Sequence, residues 1–320
     1  MLRFILLTGL LLLSACDRSP PSGSWELAAQ GLYTGALSPD AQFAVVGSLN
    51  HGASLWRVAD RERLYNWSHA QDGYSDLVAA AFSPDGSRAV TTDPRTLVLW
   101  NANDGSALNF WGTPGTVLDV AVHANNREVL LGLDDHSAVL FDAVSGNYNK
   151  TFMHLGEVGS VALAHNGALA LTGSDDNTAV LWNTTSGEAE HVFQHDNPVR
   201  AVALSYTGKL AFTAAQGDLV AIWRTDTGQR LHALHNGINH GARTATFSRD
   251  EKYLAVGYTR HKVALYSTSS GALLKEWDCG RRHQLRATGA TVLTLGFGEN
   301  PVNLFALIGD GRLLHLRASS

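Results

Sequence analysis

The chain has 320 residues, 45% of them hydrophobic and 17% charged, so it can bury a sizeable core and is not a disordered tail. A net charge of −5 and an isoelectric point near 6.3 exclude the basic surface that phosphate binding needs, and no nucleic acid is expected as a partner. The 31 glycines lie mostly in short polar breaks between short apolar runs, the texture of an all-β protein with many tight turns.

The first element is a separate object. "MLRFILLTGLLLLSAC" carries one early cation, Arg3, an apolar run from Phe4 to Leu13, and then small residues. That run is too short to span a bilayer, which takes about 20 helical residues, and has the form of a secretory signal. Its end, Leu13-Ser14-Ala15-Cys16, resembles the lipobox of bacterial lipoproteins, where cleavage precedes a cysteine that then carries lipid. The resemblance implies a signal peptide over residues 1–15, a lipid on Cys16, and a membrane-anchored body facing the periplasm. Asp17 resembles the signal that retains such proteins at the inner membrane. The only other cysteine is Cys279, so an acylated Cys16 leaves no intramolecular disulfide to form. The polar, Pro/Ser-rich residues 16–24 are expected to be a short tether, and residues 25–320 the folded body.

From there the chain repeats. Aromatic residues close short β-runs at Trp56, Trp100, Phe141, Trp182, Trp223 and Tyr266, spaced 41 to 44 residues apart. A glycine stands five residues after all but the first: Gly105, Gly146, Gly187, Gly228 and Gly271, with Arg61 at the first position. A run, a polar turn of fixed length ending in glycine, and another run is a hairpin signature. Each period holds four such runs, as in residues 159–164, 169–173, 178–182 and 190–194, and a weaker last unit ends at Leu316. Sheets of four strands cannot each bury both faces alone, and seven of them stacked radially cover one another. The last unit supplies three runs, and an orphan run at residues 25–30 is expected to complete it as a fourth strand, closing the ring.

These units resemble WD repeats, so the expected fold is an all-β, seven-bladed WD-repeat-like β-propeller with four antiparallel strands per blade, monomeric. Ser-Pro-Asp-Gly stands at Ser83 to Gly86, and Ser38 to Ala41 is a near copy. In the fourth unit His154, Thr172, Asp176 and Trp182 match the family's structural tetrad, a hydrogen-bonded relay from loop to strand. The fifth unit keeps His195, Thr213 and Trp223 with Gly217 in place of the aspartate, the third keeps Asp135 and Phe141, and the sixth has Arg260 where Asp would be.

Catalytic motifs are missing: no phosphate loop, no Gly-x-Ser-x-Gly, no Cys-x-x-Cys and no His-Glu-x-x-His. In "LHALHNGINH" a strand would send His232 and His235 to opposite faces, so no metal is expected there. No cofactor is expected either. The innermost runs are small and apolar, Asp119 and His123 apart, which favours a non-enzymatic scaffold for protein–protein interaction over an enzyme or small-ligand binder using the central channel. The expected partner is an unidentified envelope protein. The loops entering each first strand and those between the second and third share one face in this fold. That face is expected to carry a basic sector (Arg243, Arg260, His261, Arg281, Arg282 and Arg286) across from Asp134, Asp135, Glu157 and Asp175, with Tyr74 in a shorter insertion as a further candidate.

Overall fold

A computed structural model of the chain describes residues 18–48, 51–69, 75–217, 220–234, 241–280 and 291–318. The signal, Cys16, Tyr74, His235, His240, Arg281, Arg282 and Arg286 lie outside the described residues.

The described residues form seven antiparallel sheets, each laid out from a channel-lining strand to an outer one. Blade four is typical, with strands Val158–Leu163, Leu169–Ser174, Thr178–Asn183 and Ala189–Gln194 in spatial order. Its second strand is buried along nearly its whole length and its third over Ala179, Val180 and Leu181, because neighbouring blades cover both faces, while its outermost strand is mostly exposed apart from Phe193. The apolar core divides the same way. Seven clusters of buried side chains occur among the described residues, each joining two adjacent blades, the last uniting Leu32 and Ala44 of blade one with Leu307 and Leu313 of blade seven. Seven interfaces for seven blades make a closed ring.

The glycines five residues after the aromatic anchors hold left-handed backbone between the third and fourth strands. Gly146 shows why the position is narrow: its φ is +79°, and an added Cβ would lie 2.6 Å from the Trp111 ring of the preceding blade. Arg61, the exception, adopts the same conformation at +64°, and its guanidinium lies 4.5 Å over the Trp25 ring. The side chain thereby ties blade one to the strand that closes blade seven.

Closure uses Gly23–Glu26, which pairs antiparallel with Arg312–Arg317 in the register Gly23 to His315 and Glu26 to Arg312. The strand therefore starts two residues ahead of the expected Trp25 and ends before Leu27, whose amide donates to the Gly311 carbonyl at 2.9 Å. The tether expected over residues 16–24 is likewise not plain linker. Arg18–Ser19 forms a parallel fifth strand on the outer edge of blade six, against Glu276 and Trp277 of the strand Leu273–Asp278. Two prolines, Pro20 and Pro21, follow it, and Ser22 donates both its amide and its hydroxyl to the His315 carbonyl at 2.8 Å. Residues 18–26 thus lace blade six to blade seven.

Candidate partner-binding face

The face that gathers the blade-to-blade loops is shaped by one irregularity repeated around the ring. In six blades the innermost strand carries a β-bulge after its first residue, as between Val199 and Ala201 or Ala242 and Thr244. A bulge re-aims one side chain. The residues at that position, Tyr33, Leu118, Gly159, Arg200, Arg243 and Leu293, all line the channel mouth. Below them the wall is small: Ala36, Ala81, Ala121, Ala162 and Ala203 come from successive blades, around a channel of about 1210 Å³.

The residue after the bulge straps neighbouring blades. The Val161 amide donates to Asp119 Oδ2 at 2.8 Å, and the Val202 amide donates to Ser160 Oγ at 3.1 Å. Asp119 Oδ1 also accepts from the Val120 amide at 2.9 Å. Burial pushes the Asp119 carboxyl up to about 6, outweighing those amides and the Arg243 charge.

The charged sectors differ from a simple division across the ring. Asp175 is held by Arg200 at 2.6 Å, a residue hidden among small apolar neighbours in "RAVALS". Asp134 Oδ1 accepts from the Thr116 amide in the loop entering the blade at 2.9 Å, and Asp135 Oδ1 accepts from the Ser137 hydroxyl in its own turn at 2.6 Å, so both serve the local framework. Glu157 is exposed. On the basic side, Arg243 sits exposed at the channel mouth and Arg260 is exposed on the turn between the second and third strands of blade six. His261 is half-buried in the same turn with φ +57°, and its carbonyl accepts from the Cys279 amide at 2.6 Å. His261 is therefore part of the turn's framework.

The tetrad residues of blade four meet. Trp182 Nε1 donates to Thr172 Oγ1 at 2.8 Å, and Thr172 Oγ1 lies 2.7 Å from His154 Nε2. His154 Nδ1 is 3.0 Å from Asp176 Oδ2, which also accepts from the Leu155 amide at 2.9 Å. Burial lowers the His154 pKa below its ordinary value, so the ring is neutral, with Nδ1–H given to the carboxylate and Nε2 accepting from Thr172. Burial pushes Asp176 up, but bonds from Thr178, the Leu155 amide and His154 outweigh it, leaving the carboxyl below its ordinary value. Blade five repeats the first part, with Thr213 Oγ1 2.7 Å from Trp223 Nε1 and 3.0 Å from His195 Nε2.

Blade two holds a relay that sequence reasoning missed. His69 Nε2 and Trp100 Nε1 meet at Thr91 Oγ1 at 2.7 and 2.8 Å, His69 Nδ1 contacts Thr96 Oγ1 at 2.7 Å, and Asp93 is 3.7 Å away. Burial lowers the His69 pKa to about 4, against the pull of Asp93. Thr91 stands nine residues before its tryptophan where blades four and five have ten, because Asp93 still bonds Thr96 and the hairpin closes on two residues, Pro94 and Arg95, where blade four uses the three residues 175–177. That offset is the signal a search allowing one deletion would have found. Blades six and seven fill these places differently: in blade six Val256 stands where the threonine would and Tyr266 where the tryptophan would, its hydroxyl 3.0 Å from that of Tyr258, and in blade seven Cys279 stands where a histidine would.

With this geometry established, comparison with known proteins adds one match. The family model described as WD domain, G-beta repeat matches residues 146–183, which include His154, Thr172, Asp176 and Trp182. The ring is a propeller with a WD repeat in it. No curated protein matches the chain. WD-repeat propellers commonly act as scaffolds for protein interaction. Among the described residues no three His, Cys, Asp or Glu side chains are grouped closely enough to hold a metal ion, and no helix is long and apolar enough to cross a membrane.

Proposed function

We propose that this protein is a non-enzymatic interaction scaffold, anchored in a bacterial envelope membrane through a lipid on Cys16 and facing the periplasm, with its basic sector receiving an acidic segment of a partner protein. The observation that carries the reading is the pair Arg243 and Arg260: both residues are exposed on the bulge-shaped face, while the acids Asp134, Asp135 and Asp175 are engaged by the loop entering blade three, by a turn or by Arg200. Exposed cations on one face steer an anionic partner and fix its orientation. The alanine-walled midsection of the channel supports a non-catalytic role, its acids Asp40, Asp85, Asp250 and Glu299 lying on the turns that follow the innermost strands. The lipobox-like Leu13-Ser14-Ala15-Cys16 supports the anchor, and Asp17 supports retention at the inner membrane.

The test is photocrosslinking in intact cells from positions beside Arg243 and Arg260, with products identified by mass spectrometry. Arg243→Glu with Arg260→Glu should cut the yield of a specific partner at least several-fold, and an unchanged product set refutes the basic sector. A second reading, a small ligand in the channel, is favoured by Asp119, Arg200 and Arg243 converging near one mouth. A mass increment on the native purified protein that disappears in Arg243→Ala would select it.

A further inference from the structure

The segment that follows Cys16 decides how the disc meets a membrane. Nine free tether residues would reach about 30 Å and impose no orientation. Here the chain is instead fixed from Arg18 onward, paired with Glu276 on the outer edge of blade six. Cys16 precedes Arg18 by two residues, a span of at most about 7 Å. Glu276 is the fourth residue of the six-residue strand Leu273–Asp278, so the attachment falls partway up the rim and belongs to neither face of the disc.

We propose that the propeller stands edge-on at the bilayer, the outer rim of blades five to seven resting on anionic lipid headgroups and both faces open to the periplasm. This rests on the reading of Cys16 as lipid-bearing. The rim has the chemistry of a peripheral membrane surface. Leu231, Leu273 and Leu274 are exposed on the outermost strands of blades five and six. Arg230 is exposed next to Leu231, and Lys275 Nζ donates to the carbonyl of exposed Arg317 at 2.9 Å, bringing those two residues together beside Leu274. The nearby acids include Glu276, already paired with Lys262 at 3.0 Å, Asp226, paired with Arg224 at 2.7 Å, and Asp278, which caps the Gly280 amide at 2.9 Å. Shallow burial of exposed leucines beside cations is how a rim adheres to an anionic surface, the cations drawn to the headgroups. An anchor within two residues of this patch holds it at high effective concentration against the bilayer.

The test uses full-length, membrane-anchored protein reconstituted into phosphatidylglycerol-containing vesicles whose acyl chains carry a quencher. A thiol-reactive fluorophore is placed in turn at Leu274→Cys on the rim, Tyr148→Cys on the outer strand of blade three and Tyr33→Cys at the channel mouth. Buried Cys279 does not compete for the label. Quenching at Leu274→Cys several-fold stronger than at the other two, and weakened by salt, is the expected result. Equal quenching at all three, or stronger quenching at Tyr33→Cys or Tyr148→Cys, overturns the edge-on orientation while leaving the anchor intact. Fluorophore on Cys16 itself, with the protein in the soluble fraction, overturns the anchor and the orientation together.

Discussion

Blades four and seven build the same sheet from opposite materials. In blade four the positions beneath the upper face hold His154, Thr172 and Trp182 in a polar relay. In blade seven the matching places hold Cys279, Ala306 and Leu316, all buried, while Asp310 pairs with Arg312 at 2.7 Å. Both blades keep the bulge after the first residue and the same strand register. The sheet is therefore set by backbone pairing and by apolar contact with its neighbours. The relay adds a demand that each of its members be satisfied, which fixes one arrangement where an apolar filling tolerates several. Blade seven has no such lock, and takes its definition from the strand that arrives from the other end of the chain.

The comparison can be broken most severely at that strand. Deleting residues 23–26 removes the fourth strand of blade seven and detaches Leu27, and should cost more than one buried leucine truncation, about 3 kcal/mol, in urea unfolding. An unaltered midpoint and unaltered protease resistance would show that the ring closes without it. Next comes Thr172→Val, which keeps shape but leaves His154 Nε2 and Trp182 Nε1 buried without their partner. A loss of about 2–3 kcal/mol is expected, and one below about 0.5 kcal/mol would make the relay ornamental.

The third prediction concerns acid. His69 and His154 have folded pKa values depressed below the ordinary 6.5, so their contribution is present above pH 6.5 and is lost as pH falls through the folded values, to about 4 for His69. Denaturant midpoints should fall between pH 7 and pH 4.5, by on the order of 2 kcal/mol. Asp119 acts with the opposite sign. Its raised value means the fold takes up a proton between pH 3.8 and about 6, so acidification favours the fold through this group. Asp119→Asn should therefore steepen the acid-side loss, and a shallower slope would contradict the assignment. The smallest effect is at Cys279, whose thiol burial pushes up to about 12. A disulfide reagent at pH 8 should leave it unmodified until denaturant is added, and Cys279→Ala should cost about 1 kcal/mol.

The blades were legible because two devices repeat within the chain: an aromatic near the end of the third strand in blades one to six, and in blades two to six a glycine where left-handed backbone meets a side chain of the preceding blade. Of the channel mouth, Arg243 reads from the sequence as part of that face, whereas Arg200 does not, because a bulge moves it out of strict alternation and a period of two read through the strand assigns it wrongly. Blade two's relay was hidden by a turn shortened by one residue, which displaced Thr91 from its expected spacing. Arg18–Ser19 reads as tether because two residues carry no periodicity, and its pairing depends on an edge more than 250 positions away.

That distant pairing has a consequence for assembly. The seventh sheet is made from both ends of the polypeptide, so the residues around Trp25 wait for Arg312–Arg317 before they have anywhere to go. Six blades can form in order behind the emerging chain, yet none of them seals the circle. Completion is an all-or-nothing final event, and a product truncated before Arg312 keeps an open seam that marks it for proteolysis.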